Sequence, residues 1–231
     1  MRGTASIERR GGCSRSPGAA HGAPSPLTAL ALVTTLACLA GGCSSGGSGT
    51  TAPVRSPQAP GVSGFDGAAL PAGLPRPADF RLTEVLGGAR APVSLASYRG
   101  RVVIVAFVYS TCGAPCEVIA QQIRGALDEL GEAPPVLLIS GDPGVDTPTH
   151  VRRFLARASL VGRVRYLSGS LAQLRPVWRS FHIVPASAGR ARFARSASVF
   201  LLDRVGRERV IFQLEQLTPE ALSHDVRKLL G

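Results

Sequence analysis

Lysine is all but missing from this 231-residue chain. Lys228 stands alone, and the rest of its 26 basic residues are arginine. No stretch interleaves those arginines with aromatic side chains, so the formal net charge of +11 carries no nucleic-acid footprint. With abundant Ala, Gly and Pro, the bias resembles that of a GC-rich genome. Two readings of the charge stay open: attraction to an acidic partner or anionic membrane surface, or simply a solvated, arginine-rich exterior. No Gly-rich phosphate loop follows any strand-like run, which argues against a nucleotide site. No second Cys or His pair is spaced to complete a four-ligand zinc centre. No internal repeat is visible. The uncharged run LTALALVTTLACLA, residues 27–40, is 14 residues long, short of the ~20 that a membrane-spanning helix needs.

That short run suits the core of a secretory signal. Arg2, Arg9, Arg10 and Arg15 precede it against one acid, Glu8. GGCSSGGSG follows, and a small-residue pair before Cys43 resembles a bacterial lipobox, although Ala40 stands where Leu is usual. The alternative is a plain secretory signal with an incidental cysteine. The reading adopted is a lipoprotein-type signal over residues 1–42, lipidation at Cys43, and an extracytoplasmic chain anchored to the cell membrane. Loss of four Arg and one Glu leaves the mature chain at +8. Cys13 and Cys38 depart with the signal, so Cys112 and Cys116 become the only thiol pair of the folded part, in a compartment where they can oxidise. Residues 43–78, rich in Gly, Ser, Pro and Ala, predict a flexible tether. The folded domain is expected over 79–231.

Within it, DFRLTEV and APVSLASY predict an N-terminal β-hairpin around Gly87-Gly88. VVIVAFVY, residues 102–109, is continuously apolar and β-branched, as a central strand covered on both faces should be. A helix is predicted over 115–130, a buried strand over 136–140, and a helix opened by Thr147-Pro148. VRYLS is a short strand. Residues 170–183 predict a helix with Leu171, Leu174, Trp178 and Phe181 inward, and Pro176 predicts a kink or late start. Paired strands bracket Val205-Gly206, and Thr218-Pro219 opens a last helix. Alternation ending in a hairpin and a helix implies an α/β, three-layer domain with a mixed sheet.

On this map YSTCGAPCE, residues 109–117, lies just past the carboxyl end of the central strand, where open α/β sheets hold their reactive groups. Pro115 fits only a first helical turn. The helix then starts near it, with Cys112 in the exposed loop and Cys116 in the first turn. The positive end of the helix favours a Cys112 thiolate. Such a pair can attack and resolve a partner's disulfide, hold cuprous copper, or serve as a structural disulfide.

These residues resemble the SCO/SenC family of thioredoxin-fold proteins, which assist assembly of the copper site of cytochrome c oxidase. The likeness spans about residues 79–231. It rests on DFRLTEVLGGARAPVSLASYRGRVVIVAFVYSTCGAPC, with three residues between the cysteines, on SGDPGVDTP (140–148), on YLSGSLAQLRPVWRSFHI, and on VFLLDRVG. The resemblance implies a thioredoxin-like fold and carries the family's two copper-ligand cysteines onto Cys112 and Cys116. The family's third ligand is a histidine eight residues before the Asp of the last of these segments. Here that position is Arg195, which cannot deprotonate to bind copper.

Of the remaining histidines, His150 and His224 fall on helices with solvated faces as their default. His182, at the end of a helix, is the one candidate substitute ligand. Arg195 could instead stabilise a thiolate, and Asp142 could line the rim or merely form a turn. The expected role is copper-site assembly through copper binding, thiol–disulfide exchange or both. The partner is the oxidase's copper-site subunit or another extracytoplasmic thiol protein. The alternative is a general thiol–disulfide oxidoreductase without stable copper.

Overall fold

The computed structural model describes residues 64–87 and 92–231. The expected signal, Cys43, most of the tether and part of the Gly87-Gly88 turn lie outside them. Eight strands form one mixed sheet in the order β1-β8-β7-β4-β5-β6-β2-β3. They are β1 (Ala68–Ala69), β2 (Arg81–Glu84), β3 (Val93–Ser94), β4 (Val103–Val108), β5 (Val136–Ser140), β6 (Arg165–Ser168), β7 (Ser198–Leu202) and β8 (Glu208–Gln213). The helices are α1 (Ala114–Leu130), α2 (Pro148–Arg157), α3 (Leu171–Ser180), α4 (Arg190–Ser196) and α5 (Pro219–Leu230). None of the described helices is long and apolar enough to cross a membrane.

Every residue of β4 is buried, because helices cover both faces. β4 and β5 run parallel, as do β5 and β6, while β4 and β7 are antiparallel. Cross-strand partners share a face, so Ala106, Leu138 and Tyr166 form one row. Phe154 of α2 packs against Tyr166 on that side. Glu117 of α1 pairs with Arg157 of α2 at 3.2 Å, and Arg227 of α5 donates to the Glu129 carbonyl of α1 at 2.7 Å. These contacts gather α1, α2 and α5 on that face. Phe107, Phe181 and Phe200 meet on the other, with centroids 5.0–6.0 Å apart, and seat α3 there. The layers and the β2-β3 hairpin agree with the sequence reading.

Three local differences have physical causes. Leu171, predicted inward, is exposed, because the Ser170–Gln173 capping box starts α3 at its own position. Pro176 neither breaks nor delays α3. It sits on the exposed face, where water can satisfy the carbonyl it frees. The short helix α4 lies between α3 and β7, where the sequence reading assigned no element.

The largest correction concerns the tether. Its last part folds onto the domain: β1 pairs with β8, aligning Ala68 with Ile211 and Ala69 with Val210. Asp225 of α5, fully buried, accepts the amides of Asp66 and Gly67 at 2.9 Å each. The lone lysine, Lys228, donates to the Gly64 carbonyl at 2.9 Å and lies over the Phe65 ring. Low apolar content concealed this strand because main-chain and charged hydrogen bonds hold it, more than side-chain burial. Replacing Asp225 by Ala leaves two amides without their acceptor. It should cost about 2 kcal/mol and speed hydrogen exchange at Asp66 and Gly67, measured by NMR, more than in β4.

Candidate functional site

The cysteine loop begins where β4 ends. The Cys112 amide donates to the Tyr109 carbonyl at 3.0 Å, turning the chain back. Gly113 follows at φ 81°, a left-handed conformation that favours glycine. α1 then opens at Ala114, one residue before Pro115, with no side chain capping it. Cys112 and Cys116 are joined as a disulfide, with Cα atoms 5.8 Å apart. Cys116 is fully buried, while Cys112 is only partly so. The half of the pair that a partner can reach is therefore Cys112, at the positive end of the helix, where a thiolate is favoured on reduction.

Asp146 anchors the loop, and sequence reasoning missed it. Its carboxylate accepts the Ser110 amide at 2.7 Å, the Tyr166 hydroxyl at 2.8 Å and the Ser140 hydroxyl. The donors come from just past the end of β4, from the last residue of β5 and from a long side chain within β6, so one buried side chain ties three adjacent strands together. Burial pushes its carboxyl up, and the hydrogen bonds from Ser110, Ser140 and Tyr166 pull it back down. The available signal was an acid directly before a Thr-Pro helix start, just beyond a buried strand. Asp142, four residues earlier, accepts the Gly144 amide at 3.2 Å and forms the predicted turn. Its charge also acts on Tyr109, whose hydroxyl is pushed up by burial and drawn down by nearby Arg190.

The two candidates for a third group are not brought to the pair. His182 is exposed at φ 56°. Its amide donates to the Arg179 carbonyl at 3.3 Å, and the Ile183 amide donates to the Trp178 carbonyl at 2.7 Å. That is the paired-bond helix stop in which the left-handed residue follows the C-cap, so His182 ends α3. Arg195 is exposed in the last turn of α4. Phe193 of the same helix is fully buried and packs on Tyr109 with centroids 5.0 Å apart. A β-carbon on Gly141 would stand 2.2 Å from the Phe193 ring, so glycine there lets α4 close down. Two helical residues carry Arg195 about 200° round from Phe193, away from the strand ends.

Among the described residues, the one cluster of three His, Cys, Asp or Glu side chains within 4.8 Å of one another is Asp66, His224 and Asp225. It does not include the cysteines. Asp225 there is already occupied with main-chain amides. The histidine beside the cysteine loop is His150. It lines a groove with Ser110, Thr111 and Gly113, and its Nδ1 lies 2.9 Å from the Val145 carbonyl. The donor set fit for a soft metal ion is thus two thiols without a histidine in the expected third place.

Asp146→Ala should lower unfolding free energy by about 3 kcal/mol, since three donors lose their acceptor, and Asp146→Asn by less than half of that. Urea denaturation checks both. Because His182 only ends a helix, His182→Gly should stabilise the fold by about 0.5–1 kcal/mol in the same assay.

A family model described as SCO1/SenC matches residues 75–231. Among curated proteins, no sequence matches the chain significantly. Yeast Sco1 with copper bound is similar in structure at 16% identity and TM-score 0.56, over 68% of this chain and 94% of its own. BsSco is a member of the Sco family of cytochrome c oxidase assembly proteins, described with a disulfide switch. It is similar at 19% identity and TM-score 0.55, over 67% of this chain and 92% of its own. A SCO1/SenC family lipoprotein from Bacillus anthracis matches at 17% identity and TM-score 0.53, over 67% and 94%. The shared fold is the thioredoxin-like one that the sequence resemblance implies.

Proposed function

The chain belongs to the SCO1/SenC family, and we propose on that premise that it is a membrane-anchored extracytoplasmic protein assisting copper-site assembly in cytochrome c oxidase through Cys112 and Cys116. The observation that carries the reading is the bonded pair at the carboxyl end of β4, with Cys112 reachable and Cys116 buried. Copper bound to yeast Sco1 supports copper as the cargo. The oxidase-assembly family of BsSco supports the oxidase's copper-site subunit as the partner. The lipoprotein from Bacillus anthracis and the segment around Cys43 support the anchor.

The exchange step balances as follows. In the reduced chain the Cys112 thiolate attacks one sulfur of the partner's disulfide. That bond breaks, and the partner's other sulfur leaves as a thiolate. The Cys116 thiolate then attacks the Cys112 sulfur and releases the partner's second thiolate. This chain is oxidised by two electrons, and the partner is left with two thiols able to take copper. Two thiolates also suit a cuprous ion as cargo. A second reading, a general thiol–disulfide oxidoreductase without stable copper, is favoured by one observation: the position at which the family resemblance implies a histidine ligand is Arg195, an exposed residue that cannot deprotonate to bind copper.

Titrating the reduced chain with cuprous ion against a competing chelator separates these readings. One-to-one binding should be lost in Cys112→Ser and unchanged in His182→Ala. If the unsubstituted chain binds no copper but its disulfide has a potential in the catalytic range, the copper reading is overturned in favour of the oxidoreductase. Cys43→Ser should move the chain from the membrane fraction to the soluble fraction of cells. Retention in the membrane would overturn the lipid anchor.

A further inference from the structure

Ser110, Thr111 and Gly113, the residues flanking Cys112, border a surface that the exchange chemistry does not by itself require. The groove beside the loop is bordered by His150, Arg153 and Arg157 of α2 as well as by Glu117 of α1. Glu117 is neutralised by Arg157. Arg153 is exposed and makes no ion pair with any described residue. The near end of the groove is therefore cationic.

Past the Glu117–Arg157 pair it continues as an apolar trough of about 420 Å³ between α1 and α2, lined by Val118, Phe154 and Ala158. Val118 is one of the few large apolar side chains left exposed, at 39%. A charged end beside the cysteine loop and an apolar end farther along form a two-part recognition surface.

We propose that this groove docks the cysteine-bearing segment of the partner protein, an extended acidic stretch with an apolar side chain about three residues from the reacting cysteine. The inference rests on the thiol-exchange reading above. Charge complementarity assigns the occupant. Carboxylates close to the partner's cysteine would face Arg153 and His150, and the chain's excess of arginine favours an acidic approach. Length assigns the spacing. From Gly113 to the Val118–Gln121 turn, α1 rises roughly 8–12 Å, which an extended peptide covers in about three residues. The Glu117–Arg157 pair stands at the junction of the two parts, and the apolar side chain must pass beyond it to reach Val118 and Phe154.

The test uses the full chain carrying Cys13→Ser, Cys38→Ser, Cys43→Ser and Cys116→Ser, so that Cys112 is its only thiol and attacks but cannot be resolved. The probes are nine-residue peptides whose single cysteine is a mixed disulfide with thionitrobenzoate. Attack by Cys112 joins peptide to protein and releases thionitrobenzoate, whose absorbance gives the rate. A peptide with Asp beside its cysteine and Leu three residues away should react at least tenfold faster than its Lys-for-Asp counterpart. Arg153→Glu should lower that ratio at least fivefold, and Val118→Ser should slow the Leu peptide about threefold relative to a Gly-for-Leu peptide. Equal rates for acidic and basic peptides, or a ratio unmoved by Arg153→Glu, overturn the groove. The groove is equally overturned if Arg153→Glu weakens binding to anionic lipid vesicles while leaving the peptide ratio intact. A neutral small disulfide separates the two levels of failure. Reaction with it but without charge preference sinks the groove alone, whereas no reaction at all sinks the thiol reading as well.

Discussion

One buried carboxylate holds the working edge of this domain in place. Asp146 accepts from three adjacent strands and the loop beyond them, through the Ser110 amide and the Ser140 and Tyr166 hydroxyls. Parallel strands end in loops that share no ladder, so something must close the edge they leave. Burying a carboxylate is costly unless it is hydrogen-bonded, and here the cost is offset by three donors. Ser110 is two residues before Cys112, so the same contact sets where the disulfide starts. The Cys112 turn, the left-handed Gly113 and the opening of α1 all follow from that fixed point.

The disulfide is asymmetric because of its position across a loop and a helix start. Cys116 is in the first turn of α1, facing the core, and Cys112 is in the turn before it. A partner would therefore meet only one sulfur, which would order the steps of the exchange proposed above. The lack of a third ligand has an equally local cause. α4 packs Phe193 onto Tyr109 through the gap left by Gly141, and helical geometry turns Arg195 outward. His182 is occupied with ending α3. The resulting site is a disulfide-bonded cysteine pair flanked on the α2 side by His150 and Arg153.

Much of this was legible along the chain. The continuous apolar run of β4 announced a strand covered on both faces. Thr147-Pro148 and Thr218-Pro219 announced helix starts, and both threonines cap as expected. Pro115 located the opening of α1 to within one residue. β1 was illegible because two alanines carry almost no side-chain signal, and its partner is far away in sequence. Leu171 was misread because hydrophobic spacing does not reveal where a capping box begins the helix. Asp146 and Asp142 look alike in SGDPGVDTP, yet one is buried beneath three strands and the other makes a turn.

The sequence by itself determined the layers, the placement of Cys112 and Cys116 across a loop and a helix start, and the mismatch at Arg195. These depend on local pattern and spacing, which the chain carries directly. Only the tertiary structure decided which sulfur is reachable, which acid anchors the loop, that the N-terminal extension adds an edge strand, and which basic residues flank the pair. Those properties come from groups distant in sequence meeting across the sheet. Burial and hydrogen bonding depend on who those neighbours are, and a single chain read in order cannot name them.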